Sequence, residues 1–502
     1  MTVYNINRGI GWASSGVEYA QAYRANVFRN LNIPAKFVFT DFFAQENLSD
    51  LTRNIGFKDE EIIWLYGFFT DIKVAPTTFT LADLEAKYHG ELSRKERQGK
   101  IVRFFYEKQD VFLTAYLCKE EDDRVHRVEF VSRGNLIRKD FYSYTKMFTE
   151  YYTPRDKRAH LYQRRFFNED GSVAYDEIID GKNSVFRMAD AILNSKEEFI
   201  AYFMKNLALT SDDVVILDRA TETGQGVFRY SKPAKLGVVV HAEHFSENAV
   251  TDRTILWNNY YDYQFTNADK VDFFITATER QKEVMSDQFA KYKGFIPNIV
   301  TIPVGSLDTL RYPQCDRTAY SIVTASRLAS EKHVDWLVKA VIEARKVIPK
   351  LSFDIYGEGG ERAKIQRIID ESEAQSYIRL KGHQDLTDIY QQYELYLSAS
   401  KSEGFGLTLL EAVGSGLPLI GFDVRYGNQT FISEGKNGYL LPTFEIDEEV
   451  HIVKAFSERL ITFFQRQDRP AMQGESYHIA ENFLTSKIEE RWGRLIEEMT
   501  KG

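Results

Sequence analysis

Between residues 321 and 422 the chain repeats one pattern: a short strand-like run, a turn, a helix-prone stretch, and another strand-like run. The runs at 321–326, 352–356, 378–382, 395–398 and 419–422 read as strands. The stretches between them, at 334–347, 361–374, 386–392 and 407–413, place apolar residues at helical spacing. A crossover helix between successive strands is what parallel pairing requires. The pattern therefore predicts a doubly wound parallel sheet. Residues 447–466 and 476–499 read as two helices that follow it.

The first segment opens in the same manner. A strand at 2–6, a Gly- and Ser-rich loop at 8–15 and a second strand at 35–40 flank a helical stretch at 16–30, with Val17, Ala20, Tyr23 and Val27 at helical spacing. Ser14 and Ser15 are its candidate N-caps. The alternation resumes near residue 190. Ser195 to Glu198 forms a capping-box pattern, 214–218, 235–242, 271–278 and 299–304 read as buried strands, and 279–292 reads as a helix.

Between these stretches the texture changes. From about 73 to 179 the chain shows alternating, aromatic-rich runs at 101–107, 111–119, 125–132, 141–148, 161–167 and 173–179. Asp170-Gly171 and Asp180-Gly181 are turn signals among them. This predicts an antiparallel meander, with a short helix near 80–90 capped by Thr80. The expected architecture is α/β: two facing Rossmann-like domains with the meander inserted in the first. Residues 1–72 and 190–306 form the first domain, 73–189 the insertion, 307–480 the second domain, and 481–502 a helix crossing back.

Ligands of such sheets bind beyond the carboxyl ends of the strands, so the strand-to-helix turns carry the site candidates. In the turn after 395–398, Glu403, Gly404, Phe405 and Gly406 precede a helix that contains Glu411. The glycines admit a close ligand, and the amides at a helix amino end suit a phosphate. Glu411, farther into the helix, can reach vicinal hydroxyls, while Glu403 faces another part of the ligand. In the turn after 321–326, Arg327 and Lys332 are two cations suited to a diphosphate. Gly16 to Glu18 opens the first helix, and His241 closes an apolar strand beside Glu243 and His244. A metal there is disfavoured, because strand spacing would split 241 and 244 between faces. Gly357, Gly359 and Gly360 resemble a nucleotide loop, and His383 and Gln384 offer hydrogen bonds to a base edge. The insertion carries many Arg, Lys, Tyr and Phe residues, a composition suited to a contact surface.

Charge and cysteine usage exclude several classes. The formal net charge of −9 argues against a nucleic-acid binder. Cys118 and Cys315 cannot form a disulfide framework or a four-Cys zinc site, and they fit a reducing compartment. The amino-terminal residues lack signal-peptide character, and no run approaches the roughly 18 apolar residues of a membrane helix.

Together these motifs resemble the retaining glycosyltransferases of family four, which have the GT-B fold. The resemblance is carried by Arg327 and Lys332, Gly357-Glu-Gly359, Gly382, Glu403-Gly-Phe-Gly with Glu411, Gly416-Leu-Pro418 and Asn437-Gly-Tyr-Leu-Leu441. Gly16 and His241 match in the first half, with Ser15-Gly16 where family members often have two glycines. The whole chain, insertion included, is similar to one subgroup: the accessory-secretion enzymes that add GlcNAc from UDP-GlcNAc to Ser and Thr of serine-rich repeat adhesins. The resemblance implies a Ser/Thr-rich polypeptide acceptor, a homologous non-catalytic partner subunit, and acceptor recognition by the insertion. It implies no metal or other cofactor, no nucleic acid, and a cytoplasmic enzyme with peripheral membrane contact through its partner.

Residue by residue, the resemblance gives Arg327 and Lys332 the diphosphate, with amides near Phe405 and Gly406. Glu411 takes the ribose, and His383 and Gln384 the uracil. Glu403 and Gly404 take the sugar hydroxyls, and His241 lies beside the sugar ring. Gly16, Val17, Glu18 and Tyr19 close over the donor. Two alternatives remain open: glucosylation of a teichoic-acid-type polyol phosphate, and a non-catalytic glycan-binding subunit. The donor motifs do not separate UDP-GlcNAc from UDP-glucose.

Overall fold

The structure, a computed structural model, describes residues 1–12, 14–88, 90–443 and 449–501. These divide into two compact units. The first comprises Met1–Val239, Trp257–Asp272 and Glu497–Gly502; the second comprises Val240–Leu256 and Phe273–Ile496.

In the first unit, strands Lys235–Val240, Val214–Leu217, Val3–Asn7, Ala35–Phe39 and Ile62–Trp64 lie side by side in that order, all parallel. The helix Gly16–Asn30 follows the first strand, as its apolar spacing predicts. Ser15 is its N-cap, with Glu18 completing the capping box. The helix Lys196–Asn206 is capped by Ser195, but Glu198 returns its carboxylate to the amide of Asn194, not to that of Ser195.

The insertion is a ten-stranded antiparallel sheet running from Arg94–Gln98 to Ile192–Leu193, each strand paired with its chain neighbour. Its outer half is filled by Val102, Phe104, Leu113, Val128 and Phe130 against Phe79, Leu81 and Leu84. At its base, Phe166 stacks on Tyr175 with centroids 4.4 Å apart, and Phe186 on Phe199 at 4.2 Å. Arg164 is held there between Glu150 and Glu177 at 2.9 and 3.0 Å.

Two strands depart from the sequence reading. The run at 141–148 is not one strand: Ser143 donates its amide to Thr145, turning the chain between Asn135–Tyr142 and Lys146–Arg155. Phe and Tyr on both sides of the turn conceal it. Arg94–Gln98 has no apolar residue and is exposed throughout, so it shows no alternation; its charges suit a sheet edge.

The second unit is built on six parallel strands in the order Ile378–Gly382, Ser352–Tyr356, Ser321–Ala325, Leu395–Ser398, Leu419–Phe422, Gly438–Leu441. Helices such as Val334–Arg345, Arg362–Glu371 and Leu407–Gly414 supply the crossovers. Chain order reverses between Ser321–Ala325 and Leu395–Ser398, so the loops leaving these neighbours are the natural ligand site. The unit also holds the parallel pair Phe273–Thr276 and Ile299–Thr301.

Here too the structure corrects the reading. The stretch 386–392 forms only a short 3₁₀ turn at Tyr390–Gln392, because Asp385 accepts from the amide and hydroxyl of Thr387 and holds the preceding residues in a turn. The expected helix at 476–499 is two helices, Arg469–Ala480 and Thr485–Thr500. Leu484 between them is extended and bridges to Leu307, which bonds to Phe483 and Thr485 on either side. The helix expected at 447–466 is seen as Glu449–Gln465; Asp447 and Glu448 lie outside the described residues. His89, at the end of the helix expected near 80–90, lies outside them as well. These strands and crossovers make a GT-B-type chain of two Rossmann-like units with an antiparallel insertion in the first.

Candidate active site

Two loops meet at the reversal point of the second unit's sheet. Thr324 donates to the carbonyl of Leu397 at 2.8 Å, and the Tyr396 hydroxyl donates to that of Ala325 at 2.9 Å, so the strands feeding the loops are locked in register. The loop carrying Arg327 and Lys332 then rests on Gly357–Gly360. A Cβ on Gly357 would lie 1.9 Å from the Ser326 carbonyl oxygen, and one on Gly359 2.3 Å from that of Leu328. The amide of Leu328 bonds to Glu358, and that of Glu361 to Leu328. Gly357 and Gly359, read as a nucleotide loop, serve here as the floor under the cationic turn.

Lys332 reaches across to the second loop. Its Nζ lies 2.8 Å from Glu403 Oε2 and 3.1 Å from Ser400 Oγ. Three residues beyond Glu403, Gly406 adopts φ +88 and opens the helix Leu407–Gly414. A glycine supplies no side-chain cap, so the first amides of that helix stay available to an anion. Phe405 turns inward onto Phe431 and Phe483, which leaves only its backbone for a ligand. Arg327 is on the same loop as Lys332 but is exposed and paired with Glu331 at 2.8 Å.

Glu411 accepts from the Tyr390 hydroxyl at 3.1 Å. Protein atoms crowd its carboxyl and raise its pKa, while the Tyr390 hydrogen bond pulls it back. It opens on a cavity of 360 Å³ that also takes in Arg311, Gln384 and Asp385. Gln384 lines the same cavity as Glu411, and His383 is exposed on the same turn.

His241 follows the strand Lys235–Val240 directly, and its carbonyl oxygen would lie 3.2 Å from a Cβ on Gly404. The segment 241–244 is a loop, not a strand, so alternation between faces does not govern it. His244 is fully buried, with Nε2 2.9 Å from Gln288 and Nδ1 3.2 Å from the Tyr426 hydroxyl. Burial lowers its pKa to about 4. Glu243 accepts from the same hydroxyl at 2.6 Å, and burial raises its pKa.

In the first unit, Gly16 and Tyr19 are exposed at the amino end of their helix. Val17 is half-buried there, its amide bonded to Ser15. Glu18 turns inward instead: it is 3% exposed and binds Asn7, the Ser15 amide and Arg219. Its carboxylate shapes the turn.

Lys332, Glu403, Gly404, Gly406 and His241 therefore come together, with Glu411 and Gln384 on an adjoining cavity. Sequence reasoning missed Ser400 and Tyr426. The signal available for Tyr426 is its place in the turn after Leu419–Phe422, at the carboxyl end of the sheet.

The chain matches known proteins along its length. Residues 94–190 match the GtfA extended beta-sheet domain and residues 319–458 the group 1 glycosyl transferases. It is 60% identical to the UDP-N-acetylglucosamine–peptide N-acetylglucosaminyltransferase GtfA subunit of Streptococcus gordonii, over 99% of each chain. Among solved structures it is similar to the GtfA/B complex, with TM-score 0.98 and 59% identity over 100% of both chains. It is also similar to the pneumococcal O-GlcNAc transferase GtfA in complex with UDP and GlcNAc, with TM-score 0.90 and 56% identity over 100% and 99%.

Proposed function

The chain belongs to the GtfA-subunit family of glycosyltransferases, and on that premise we propose that it transfers GlcNAc from UDP-GlcNAc to Ser and Thr hydroxyls of a serine-rich polypeptide. The observation that carries this reading is the Lys332–Glu403 pair, 2.8 Å apart, beside the Gly406 end of the helix Leu407–Gly414. One cation, one carboxylate and one helix amino end are the groups a sugar diphosphate needs.

In this reading Lys332, with Arg327 swinging from Glu331, takes the diphosphate against the amides at Phe405 and Gly406. Glu411 and Gln384 take the nucleoside in the 360 Å³ cavity, with His383 at its rim. Glu403 and Gly404 hold the sugar hydroxyls, and His241 lies beside the ring. Gly16, Val17 and Tyr19 keep the donor role that the resemblance gives them, and Glu18 holds their turn. The acceptor oxygen attacks C1 on the face the diphosphate leaves. The C1–O bond breaks, and the departing β-phosphate oxygen takes the hydroxyl proton. Configuration is retained, and preorganised positive charge stabilises the leaving group, which is usually the largest catalytic contribution. Side-chain cations fill the place of a metal, so the reaction needs none.

The 60% identity to a peptide N-acetylglucosaminyltransferase subunit, against 26% to a poly(ribitol-phosphate) transferase, supports a protein acceptor over a polyol phosphate. The intact cationic pair and both glutamates support catalysis over glycan binding alone. The likeness to the GtfA/B complex supports a homologous, non-catalytic partner subunit, GtfB. No helix among the described residues is long and apolar enough to cross a membrane. We place the reaction in the cytoplasm, with any membrane contact made through the partner.

The test incubates the chain and its partner subunit with UDP-GlcNAc or UDP-glucose and a Ser/Thr-rich peptide, and reads intact peptide mass. N-acetylhexosamine increments from UDP-GlcNAc are expected. Glucose transfer to a polyol phosphate with no peptide gain would refute the acceptor assignment. UDP binding without any transfer would refute catalysis.

A further inference from the structure

We propose that Tyr426 is a positioning residue: it latches the loop that carries Glu403 to the segment that carries His241. The inference rests on the transferase reading above, since it concerns the same site.

Tyr426 is 1% exposed. It makes two kinds of contact that point in opposite directions. Its main chain faces the Glu403 loop: the amides of Tyr426 and Gly427 both donate to the Glu403 carbonyl, each at 2.8 Å. Close packing supports this, because a Cβ on Gly427 would lie 2.3 Å from the Phe405 carbonyl oxygen. Its side chain faces the His241 segment: the hydroxyl donates to Glu243 at 2.6 Å and touches His244 Nδ1 at 3.2 Å, and its ring stacks on His244 with 19° between planes.

The far ends of the latch are fixed in turn. His244 is held by Gln288, and the Ala242 carbonyl by the amide group of Gln281, both residues lying on the helix Glu279–Lys293. Arg425, next in the chain, pairs with Glu247 at 3.0 Å and lies 3.8 Å from Glu243. One residue thus spans, by its amide and its hydroxyl, from the carbonyl of Glu403 to residues two and three positions after His241. A small displacement between two groups that act on one sugar costs up to about 100-fold in rate. The hydroxyl is therefore expected to act on turnover and not on nucleotide affinity, which depends on Lys332 and Glu411.

The experiment uses the full chain with its partner subunit and compares the parent with Tyr426→Phe, Glu243→Ala, Glu243→Gln and the Tyr426→Phe/Glu243→Ala pair. Tyr426→Phe removes only the hydroxyl and keeps both amide bonds to Glu403. It is expected to lower kcat for peptide glycosylation roughly 10-fold or more, with the Kd for UDP within about twofold of the parent. Glu243→Ala should match it, and the double variant should lose little more than either single one, as coupled members of one contact do. Glu243→Gln keeps an oxygen acceptor for the hydroxyl and should restore most of kcat. Tyr426→Phe with kcat within twofold of the parent overturns the proposal. So does a rate loss that Glu243→Gln fails to recover, or one that is matched by an equal weakening of UDP binding. A parent that transfers no sugar in the same assay fails the transferase reading instead, which keeps the two failures distinct.

Discussion

Replacing Lys332 by Met separates chemistry from stability, because the two effects differ in size. The ammonium sits 2.8 Å from Glu403, and the two side chains are 23% and 22% exposed. A partly exposed pair of this kind contributes about 0.2–1 kcal/mol to stability. Met keeps the aliphatic stem, so little packing is lost. The expected change in Tm is no more than about 4 °C. The catalytic effect is larger: removing one preorganised contact to developing charge costs about 100- to 1,000-fold in rate, equivalent to about 2.7–4 kcal/mol of barrier. Lys332→Met is therefore expected to fold and to dock with its partner while losing at least 100-fold of initial transfer rate, read by peptide mass at saturating UDP-GlcNAc. Thermal unfolding on the same sample provides the control. Transfer within a few-fold of the parent would refute the diphosphate role of Lys332. A rate loss fully explained by lost folded protein would refute it as well.

Three further outcomes follow from the same geometry. Gly357→Ala forces a Cβ toward the Ser326 carbonyl at a residue whose φ is +126, so it should displace the Arg327–Lys332 turn and cost about 1–3 kcal/mol or more in urea unfolding; unchanged stability and UDP affinity would contradict the floor role. His244 is buried with its pKa lowered to about 4, so the unfolded chain binds the proton first as pH falls below about 6.5. Stability is lost between about pH 6.5 and 4, by up to about 3 kcal/mol for this one group. The raised pKa of Glu243 acts in the opposite sense, so the measurement is the stability of His244→Gln minus that of the parent, which should rise as pH falls from about 6.5 toward 4; a flat difference would refute the assignment. Transfer should persist in EDTA, and loss of turnover that Mg²⁺ restores would show that the side-chain cations do not suffice.

Much of the second unit is legible in sequence because short strand-like runs alternate regularly with helical stretches, even where an edge strand such as Ile378–Gly382 keeps Arg379 and Lys381. Ser352–Tyr356, Ile378–Gly382, Leu395–Ser398 and Leu419–Phe422 have the bounds that pattern predicts. The glycine turn at Gly404 and Gly406 is legible for a related reason: backbone geometry there demands residue types that stand out. Elements set by partners are less visible. The all-exposed edge strand Arg94–Gln98 has no burial to record, and the break at Leu484 exists because Leu307 pairs with that stretch.

The candidate site divides in the same way. The chain's own spacing put Arg327 and Lys332 in one turn and Glu403 and Glu411 around another, and the order of motifs identified the family. Tertiary structure alone decided which of them touch. It placed Lys332 on Glu403, turned Glu18 inward to its helix cap, and put Phe405 into the core. It also gave Tyr426 its place between Glu403 and Glu243, the latter 183 positions away in sequence. Local pattern records what each segment needs to bury or to turn. Contacts between distant segments depend on strand order, and nothing local in a sequence fixes which loops a sheet brings side by side.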